Sequence, residues 1–569
     1  MLLTKTLFVK VKTLLTSKEW FVADFETTTS KFYEEYGYTK VWLYAICDMN
    51  ANIVNIGSSI EEFITYISTK LKGKTIYFHN LKFDGEFILY YLLTNGFNHY
   101  EQLKDVTRGF STLIGEMGEF YSLDIKFGNK KLVHIHDSYK LLPFKVERIA
   151  KDFGLPILKE KIDYDDYTIN DETIKYVSHD VRIVAMALSQ IKSEGMNKMT
   201  TASCAYSMFK SMRSSDYMSL TFPELDDDFL TEWRNAYRGG RCQVHPHYQG
   251  NIEYNVKRYD INSMYPSIMR NEQLPYGKPV PIDKMGVANF ELYHIQVMFK
   301  LKEGHLPTLL KKATLFSQAD SYYIETDEIT DIWISSIDYE LLVRHYDIIY
   351  FKIIKMFGFR TCKWLFNDYV DKWYAKKSVD SGAKKIVDKF MLNCLYGKFG
   401  SNHIGATKIP YFDTEDEIIG YNVTENKPLK KYYLPLAIAV VSYAHKYIDD
   451  AIVAVGYENF LYCDTDSVHT FDTLPPNMVD SKELGKFKLE AIEQKAKYVR
   501  QKTYITMEEG EIHITCAGMP DSMKREVINK YGDDMFIVFS PGFKVEGKLL
   551  PKRVKGGVIL NETSFEIKV

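Results

Sequence analysis

The sequence has few cysteines and no long apolar run, and each shortage excludes a class of protein. Seven cysteines occur among 569 residues, and they are scattered without a CxxC pair, at positions 47, 204, 242, 362, 394, 463 and 516. This spacing indicates neither a zinc site nor a disulfide framework, so we expect a reducing compartment. The longest apolar run, Tyr432–Tyr443, contains a proline and is far shorter than the ~20 residues that span a bilayer. We therefore expect no membrane segment.

The formal net charge is only −3, so the overall charge does not indicate an acidic partner. Any basic track for nucleic acid must therefore be local. Hydrophobic residues make up 46% and aromatic residues 14% of the chain, which is typical of a globular protein long enough for several domains. Residues 1–15 contain interrupting lysines and no small-residue cleavage site, so we expect no signal peptide.

The segment Leu461-Tyr-Cys-Asp-Thr-Asp-Ser-Val468 contains two carboxylates between apolar flanks. The flanks predict two short strands, and Asp464 and Asp466 would lie at the turn between them. Carboxylates this close repel each other unless a cation neutralises them, and a hard divalent ion such as Mg²⁺ or Mn²⁺ prefers oxygen ligands. A lone pair of this kind is more often a polar surface turn, but these flanks are too apolar for one.

A further carboxylate, Asp260, lies in Arg258-Tyr-Asp-Ile-Asn-Ser-Met-Tyr-Pro-Ser-Ile268, after a strand-like run and before a proline that can open a helix. Asp260 and Asp466 could together hold two metal ions about 3.5–4 Å apart, the arrangement that clamps both oxygens of an in-line phosphoryl displacement.

Between these two segments lies a helical pattern in which Lys385, Lys389, Asn393 and Tyr396 share one face. Two charges, an amide and an aromatic ring suit a triphosphate and a base better than they suit a core. The lysines alone are equally consistent with a solvated charged face, and the pair Tyr396-Gly397 argues against that alternative.

A second carboxylate group lies nearer the N-terminus. Asp24 and Glu26 alternate on a predicted strand, Asp84 follows another strand-like run, and Tyr176 and Asp180 are one helical turn apart. Each piece alone is weak, because acidic strand edges are often only surface salt bridges. Together they could form a second two-metal site, for hydrolysis, in which Tyr176 orients the attacking water.

The segment Tyr237-Arg-Gly-Gly-Arg241 precedes Asp260. Its glycines would let the backbone approach a ligand, and Arg238 and Arg241 could hold phosphates. A plain tight turn is the alternative.

The segments D-x-N-S-x-Y-P, K-x3-N-x-x-Y-G and Y-x-D-T-D-S, in this order, resemble motifs A, B and C of family-B DNA polymerases. Their details are similar to the protein-primed, phi-twenty-nine-like bacteriophage branch, and the N-terminal carboxylates resemble the Exo I, II and III motifs of DEDD-type 3′–5′ proofreading exonucleases. The resemblance covers nearly the whole chain. It implies a multidomain α+β and α/β fold, with an RNase H-like exonuclease before a right-hand polymerase of palm, fingers and thumb.

The resemblance also implies a DNA-directed DNA polymerase with proofreading, protein-primed and strand-displacing, that replicates a linear viral genome by two-metal-ion nucleotidyl transfer. The implied domains are the exonuclease (1–200), palm with motif A (201–271), a first insertion resembling a terminal-protein region (272–363), fingers (364–400), a second such insertion (401–431), palm with motif C (432–525) and thumb (526–569). The implied partners are primer-template DNA, dNTPs and a terminal protein. We expect a monomer in the cytoplasm of a bacterial host.

By the same resemblance, Asp260, Asp466 and the Ile261 carbonyl bind two Mg²⁺ or Mn²⁺ ions, with Asp464 in support. Two more ions belong to Asp24, Glu26 and Asp180. The nucleotide would meet Tyr265 at its sugar, and the lysines at its triphosphate would include Lys377. The implied DNA contacts are Thr27, Tyr77, His79, Asn80, Phe83, Phe87, Ser138 and Tyr139 for a single strand, and Tyr237, Arg238, Gly239, Gly240, Lys502 and Tyr504 for the primer-template.

Some positions depart from the family pattern. Ser138-Tyr139 replaces a Ser-Leu pair, Cys394 replaces a serine, and His445 replaces an arginine that could contact phosphate. Lys159 resembles the exonuclease lysine, but whether Lys161 or Asp163 supplements the site stays open. Glu490 resembles an acidic residue near the polymerase metals. The alternatives are a nucleic-acid-primed family-B polymerase, an exonuclease alone, and a DNA-binding scaffold with a decayed site.

Overall fold

The structure is a computed structural model that describes residues 19–128, 131–311 and 322–568. The segment 1–15, for which we expect no signal peptide, lies outside the described residues, as does 312–321 of the predicted first insertion. Within the described chain, no helix is long and apolar enough to cross a membrane.

The N-terminal region contains a mixed sheet covered by helices. Its strands are β1 (Trp20–Thr27), β2 (Val41–Asp48), β3 (Ile53–Gly57), β4 (Thr75–Phe78), β5 (Gly109–Ile114), β6 (Phe120–Lys126) and β7 (Leu132–Asp137). Among the described residues the order is β3-β2-β1-β4-β7-β6-β5, with β4 parallel to both β1 and β7. The helices are Ser30–Tyr36, Ile60–Lys70, Leu81–Thr94, Val146–Asp152 and Asp171–Ser193, with a short 3-10 turn at Ser138–Lys140. This is the predicted RNase H-like exonuclease fold.

The helix Asp171–Ser193 carries part of the N-terminal site, and its sequence explains its start. The Asn170 side chain accepts the amides of Glu172 and Thr173, and the Thr173 hydroxyl bonds back to Asn170, which completes a capping box. One side of this helix is buried against β1 and β2. Packing therefore fixes the rotation of the helix and the face that meets the β1 carboxylates.

Three helices, Thr201–Ser211, Ser215–Thr221 and Asp227–Trp233, lead to the first palm strands β8 (Cys242–Val244) and β9 (Ile252–Ile261) and the helix Met264–Asn271. The first insertion is an antiparallel sheet of β10 (Leu274–Pro281), β11 (Phe290–Leu301), β12 (Thr330–Ser335) and β13 (Tyr346–Cys362), with the helix Ser336–His345. The order is β10-β13-β11-β12 in the part of the chain that the structure describes.

The predicted fingers region contains two helices, Asn367–Val379 and Gly382–Phe399. The predicted second insertion is a hairpin formed by β14 (Ile404–Gly405), β15 (Lys408–Asp413), β16 (Ile418–Val423) and β17 (Lys427–Pro428). Two nested strand pairs, β14 with β17 and β15 with β16, make it an extended arm.

The palm resumes with the helix Leu434–Val455 and the strands β18 (Phe460–Asp464), β19 (Ser467–Thr470), β20 (Phe487–Arg500), β21 (Thr503–Glu508) and β22 (Glu511–Cys516). Within the described residues they join the earlier palm strands in one antiparallel sheet, ordered β22-β21-β20-β9-β19-β18-β8. The sheet places β9 beside β19, although about 200 residues separate them in sequence.

The thumb contains the helices Asp521–Tyr531 and Met535–Val538 and the hairpin β23 (Lys544–Val554) with β24 (Gly557–Glu566). The predicted boundary at 525/526 is wrong in detail, because it falls inside the helix Asp521–Tyr531. The other boundaries within the described residues fall between elements. One buried apolar cluster contains exonuclease, palm and fingers residues together, so these regions pack tightly against one another.

Candidate active sites

The predicted polymerase carboxylates meet where neighbouring palm strands end. Strand β18 ends at Asp464, β19 begins at Ser467, and Asp260 on β9 pairs with Ser467. The amide of Ile261 donates to the Asp466 carbonyl oxygen at 2.8 Å. Strand pairing therefore brings Asp260 and Asp466 to adjacent positions at the end of the sheet.

Burial and repulsion between carboxylates dominate the electrostatics of this pair. Burial, then repulsion from Asp466 and Glu490, raises the pKa of Asp260 to about 7. Burial, with repulsion from Asp464, also raises the pKa of Asp466. The influence of Glu490 supports its expected place near the metal site. Clustered, partly buried carboxylates of this kind fit a hard divalent cation with oxygen ligands.

Asp464 faces a different partner. Its two oxygens accept hydrogen bonds from the Lys502 ammonium at 2.9 and 3.0 Å, and the Thr465 hydroxyl donates at 3.0 Å. Lys502 is one of the residues that the resemblance implies for the primer-template. It lies in the turn before β21 with φ 55°, and that turn aims its side chain at Asp464.

The fingers helix Gly382–Phe399 presents the predicted face. Lys385 and Lys389 are exposed, whereas Asn393 and Tyr396 are half-buried. The rings of Tyr396 and Tyr265 stack with centroids 3.9 Å apart. This contact joins the segment after Asp260 to the fingers.

Lysine charges converge on the polymerase carboxylates. Lys389 lowers the pKa of both Asp260 and Asp466, against the larger effect of burial. Burial, then repulsion from Lys389 and Lys385, lowers the pKa of Lys377, whose ammonium donates to Ser263 Oγ at 2.9 Å. Lys377, Lys385 and Lys389 therefore place positive charge beside the carboxylate pair.

The N-terminal carboxylates also assemble in one place. Burial first, and then Asp180, raises the pKa of Asp24 to about 7. Burial and the neighbouring carboxylates raise the pKa of Glu26 and Asp84 well above their usual range. Strand β1 supplies Asp24 and Glu26, while the helices Leu81–Thr94 and Asp171–Ser193 supply the others.

Lys159 reaches this site and forms an ion pair with Asp180. The other Asp180 oxygen, Oδ1, is buried and has no hydrogen-bond partner in the described part of the chain. A buried carboxylate oxygen without a hydrogen-bond partner, among other buried acids, is suited to bind a divalent cation. The Tyr176 hydroxyl lies 3.2 Å from that of Tyr164, and Tyr176 is only 2% exposed.

Neither site has a pre-arranged set of metal ligands. No three His, Cys, Asp or Glu side chains within the described ranges are already arranged around one point. Asp180 and Asp464 each pair with a lysine instead. The residues fit divalent cations, with the ion pairs as competing partners.

The expected single-strand contacts divide into two groups. Thr27, His79 and Phe83 are partly accessible, and Asn80 and Tyr139 are exposed. For the other three the contact stays a prediction, and these residues are buried: Tyr77, Phe87 and Ser138. Their surroundings explain why, since the Tyr77 hydroxyl accepts from Lys192, Phe87 packs in the core and Ser138 donates to the Phe78 carbonyl oxygen.

The hypothesis that the loop arginines hold phosphates is wrong. Arg238 is 9% exposed and donates to two carbonyl oxygens of the first insertion, and Arg241 is 1% exposed and pairs with Asp449. His445 is also buried, with its ring nitrogens facing Asp338 and the Gly239 carbonyl, so it makes no phosphate contact. The arginine side chains thus hold the loop in place, and Tyr237, Gly239 and Gly240 are the loop residues that could approach a ligand.

Some site residues escaped the sequence analysis. Asp137, at the end of β7, accepts the amides of Asn80, Leu81 and Tyr139 and so fixes the chain beside Asp84. A polar residue directly after a buried strand was the available signal. No local pattern could reveal Asp449, which lies on an apolar helix. Lys161 and Asp163 are exposed, Asp163 accepts the Asp165 amide, and neither adds to the described site.

The structure contains a carboxylate pair beneath a lysine-bearing helix and a separate acidic group in an RNase H-like sheet. These two sites define a nucleic-acid polymerase with its own exonuclease. A sequence profile of the family described as "DNA polymerase type B, organellar and viral" matches residues 65–168 and 165–483. The DNA polymerase of Bacillus phage phi29 is 34% identical over 588 residues, covering 97% of this chain and 99% of the relative. That of Streptococcus phage Cp-1 is 33% identical over 592 residues, covering 96% and 98%.

The solved structure of phi29 DNA polymerase with primer-template DNA and incoming nucleotides is similar to this chain, with a TM-score of 0.87 and 34% identity, covering 97% of this chain and 100% of that one. The chain belongs to the family-B DNA polymerases, within the phi29-like phage group, for which protein priming and proofreading are characteristic. It is a DNA-directed DNA polymerase with a 3′–5′ exonuclease, as the resemblance predicted. Polymerases of this family use divalent metal ions.

Proposed function

We propose that each active site works with two Mg²⁺ or Mn²⁺ ions, and that Asp260, Asp466 and the Ile261 carbonyl hold those of the polymerase site. The supporting observation is the adjacency of Asp260 and Asp466 beneath the fingers lysines. Bound ions would activate the primer 3′-hydroxyl and neutralise charge on the reacting phosphate. Asp464 would hold Lys502 through its ion pair and so fix the position of this lysine, which would face the primer, relative to the turn.

The fingers and palm would hold the nucleotide between them. Lys377, Lys385 and Lys389 would neutralise the triphosphate, because they repel one another until an anion binds. Tyr265 would pack against the sugar, where a ribose 2′-hydroxyl would clash, and Tyr396 with Asn393 would flank the nascent base pair. The ternary complex of phi29 DNA polymerase contains incoming nucleotides and supports this placement.

In the exonuclease site, Asp24, Glu26 and Asp180 would hold metal ions, with Asp84 adjacent. Tyr176 would orient the attacking water through its hydroxyl. The accessible residues Thr27, His79, Asn80, Phe83 and Tyr139 would contact the single strand, and the rings would stack on bases without sequence preference. Tyr237, Gly239, Gly240 and Tyr504 would contact the primer-template between the sites.

A primer-extension assay with dNTPs and Mg²⁺ tests the polymerase site. We expect template-dependent extension that a chelator stops, and Lys389→Met should raise the KM for dNTP more than it lowers kcat. An exposed fingers lysine off this face, Lys372→Met, is the matched control. A folded protein that binds DNA without extending a primer would instead indicate a scaffold with a decayed site.

We also propose that the enzyme accepts a terminal protein as primer. The support is the pair of insertions, 272–363 and 401–431, since a metal site of this type needs only an oxygen nucleophile, which a Ser, Thr or Tyr hydroxyl can supply. Covalent labelling of a small phage protein by labelled dNTP is the test. Extension of DNA primers without such labelling would favour a nucleic-acid-primed enzyme. We place this activity in a monomer working in the host cytoplasm.

The third proposal is strand displacement by a closed ring. The hairpin β15–β16 packs on the exonuclease helix Leu81–Thr94, where the ring centroids of Phe412 and Tyr90 lie 5.6 Å apart. The thumb hairpin contacts this hairpin and this helix. A ring too narrow for duplex would peel the non-template strand as the enzyme advances, against about 1.4 kcal/mol of stacking per step. Deleting 404–426 should leave the first lap of a primed circle intact and stop later laps. Unchanged multi-lap synthesis would eliminate the ring.

A further inference from the structure

The turn that carries Asp464 and Asp466 is held from behind by the backbone of Arg241. The Arg241 carbonyl oxygen accepts the amide of Thr465 at 2.7 Å. Gly240 lies so close that a Cβ there would stand 3.0 Å from Thr465 Oγ1. Thr465 itself has φ 63°, a left-handed conformation that is unfavourable for a non-glycine residue. Such a conformation persists only where its surroundings fix it.

The Arg241 side chain leads from this turn into a buried ionic network. Its guanidinium donates to Asp449 at 2.9 Å, and Asp449 is fully buried on the palm helix. Asp449 also accepts from Arg344 at 2.8 Å and faces His345 Nε2 at 2.9 Å. Arg344 and His345 form the last turn of the helix in the first insertion. One carboxylate thus joins the palm, the loop and the insertion.

Other contacts tie the same loop to the insertion. The Tyr322 hydroxyl bridges the amide and the carbonyl of Cys242 at 3.0 and 3.2 Å. Arg238 donates to the carbonyl oxygens of Leu310 and Trp333, each at 3.0 Å. The loop therefore rests on the insertion on one side and supports the metal-binding turn on the other.

We propose that Arg241 is a positioning residue of the polymerase site and that it couples the first insertion to the metal-binding turn. Arg344 and His345 hold Asp449, Asp449 fixes Arg241, and the Arg241 carbonyl keeps Thr465 in its left-handed conformation. A partner that shifts the insertion helix then changes the geometry of the catalytic carboxylates. This inference rests on the proposed metal placement at the neighbouring aspartates.

The test is Arg241→Met, a substitution that removes the charge but leaves Asp449 paired with Arg344 and His345. We expect single-turnover nucleotide addition to fall about tenfold or more, because small misplacement of reacting groups costs up to about a hundredfold. The half-saturating Mg²⁺ concentration should rise. The KM for dNTP and the exonuclease rate should stay unchanged, and Arg241→Lys should recover part of the loss. Arg360→Met, at an exposed arginine of the same insertion, is the matched control.

Coupling is tested by adding His345→Gln. We expect this variant to slow nucleotide addition and the double variant to be no slower than Arg241→Met, because both changes interrupt one path. Strictly additive effects, a wild-type rate in folded Arg241→Met, or an equal loss of polymerase and exonuclease activity would each overturn the proposal. Full activity in Asp466→Ala would instead overturn the placement of the metal site.

Discussion

Closure of the proposed ring depends on a contact among three regions, and Arg553 is its centre. The thumb residue Arg553 donates from Nε to Glu86 Oε1 of the exonuclease at 3.0 Å, and its guanidinium lies 4.5 Å from the ring centroid of Tyr421 in the second insertion. The Glu86 side chain is 4% exposed, and burial raises its pKa while Arg553 lowers it. Arg553→Met leaves that carboxylate buried without its counter-ion.

The size of the effect follows from burial. Removing one partner of a wholly buried pair costs about 3–5 kcal/mol, but the Arg553 side chain is 43% exposed, so water screens it and we expect about 1–3 kcal/mol. Each 1.4 kcal/mol changes an equilibrium about tenfold, so the open ring should become about 5–150 times more populated. The double variant with Glu86→Gln should recover much of this, because the buried charge is gone.

The assay is rolling-circle synthesis in the presence of a DNA trap that captures every enzyme that dissociates. We expect shorter products from Arg553→Met, with the first nucleotide additions unchanged. Lys555→Met, which breaks only the exposed pair with Glu417, should have little effect, since such pairs contribute about 0–1 kcal/mol. Wild-type product lengths from Arg553→Met would refute the reasoning that this contact closes the ring.

Three further predictions concern the sites themselves. Asp24→Ala with Glu26→Ala should abolish the exonuclease and spare polymerisation, and Asp466→Ala should do the reverse; loss of both activities in either folded variant would contradict two separate sites. Tyr265→Val should increase ribonucleotide incorporation relative to dNTP in a competition assay, and unchanged discrimination would remove Tyr265 from sugar selection. Mg²⁺ should raise the melting temperature more at about pH 8 than at about pH 6. Folding raises the pKa of Asp260 from 3.8 to about 7, so the stability that neutral Asp260 contributes is present at low pH and is lost as pH rises through 7. A bound cation can replace the lost proton, and its stabilising effect is therefore larger at the higher pH. Asp260→Asn should reduce that difference in thermal-shift measurements, and a pH-independent Mg²⁺ effect would argue against metal binding there.

The sequence alone determined the local parts of both sites. Apolar flanks around Asp464 and Asp466 predicted the hairpin, and a four-residue period predicted the face of Lys385 and Lys389. These features depend on neighbours within one strand or one helical turn, so periodicity reveals them. The order of the motifs then indicated the family and the fold.

Only the tertiary structure decided which polar residues are buried partners and which are open to a ligand. The loop pattern predicts phosphate binding by Arg238 and Arg241, yet both are buried, Arg238 against carbonyl oxygens of the first insertion and Arg241 against Asp449. The backbone of Arg241, rather than its charge, faces the catalytic turn. A guanidinium is strongly attractive to either a phosphate or a carboxylate, so its role depends on which of them the fold brings within reach, and partners about 200 residues apart leave no local pattern.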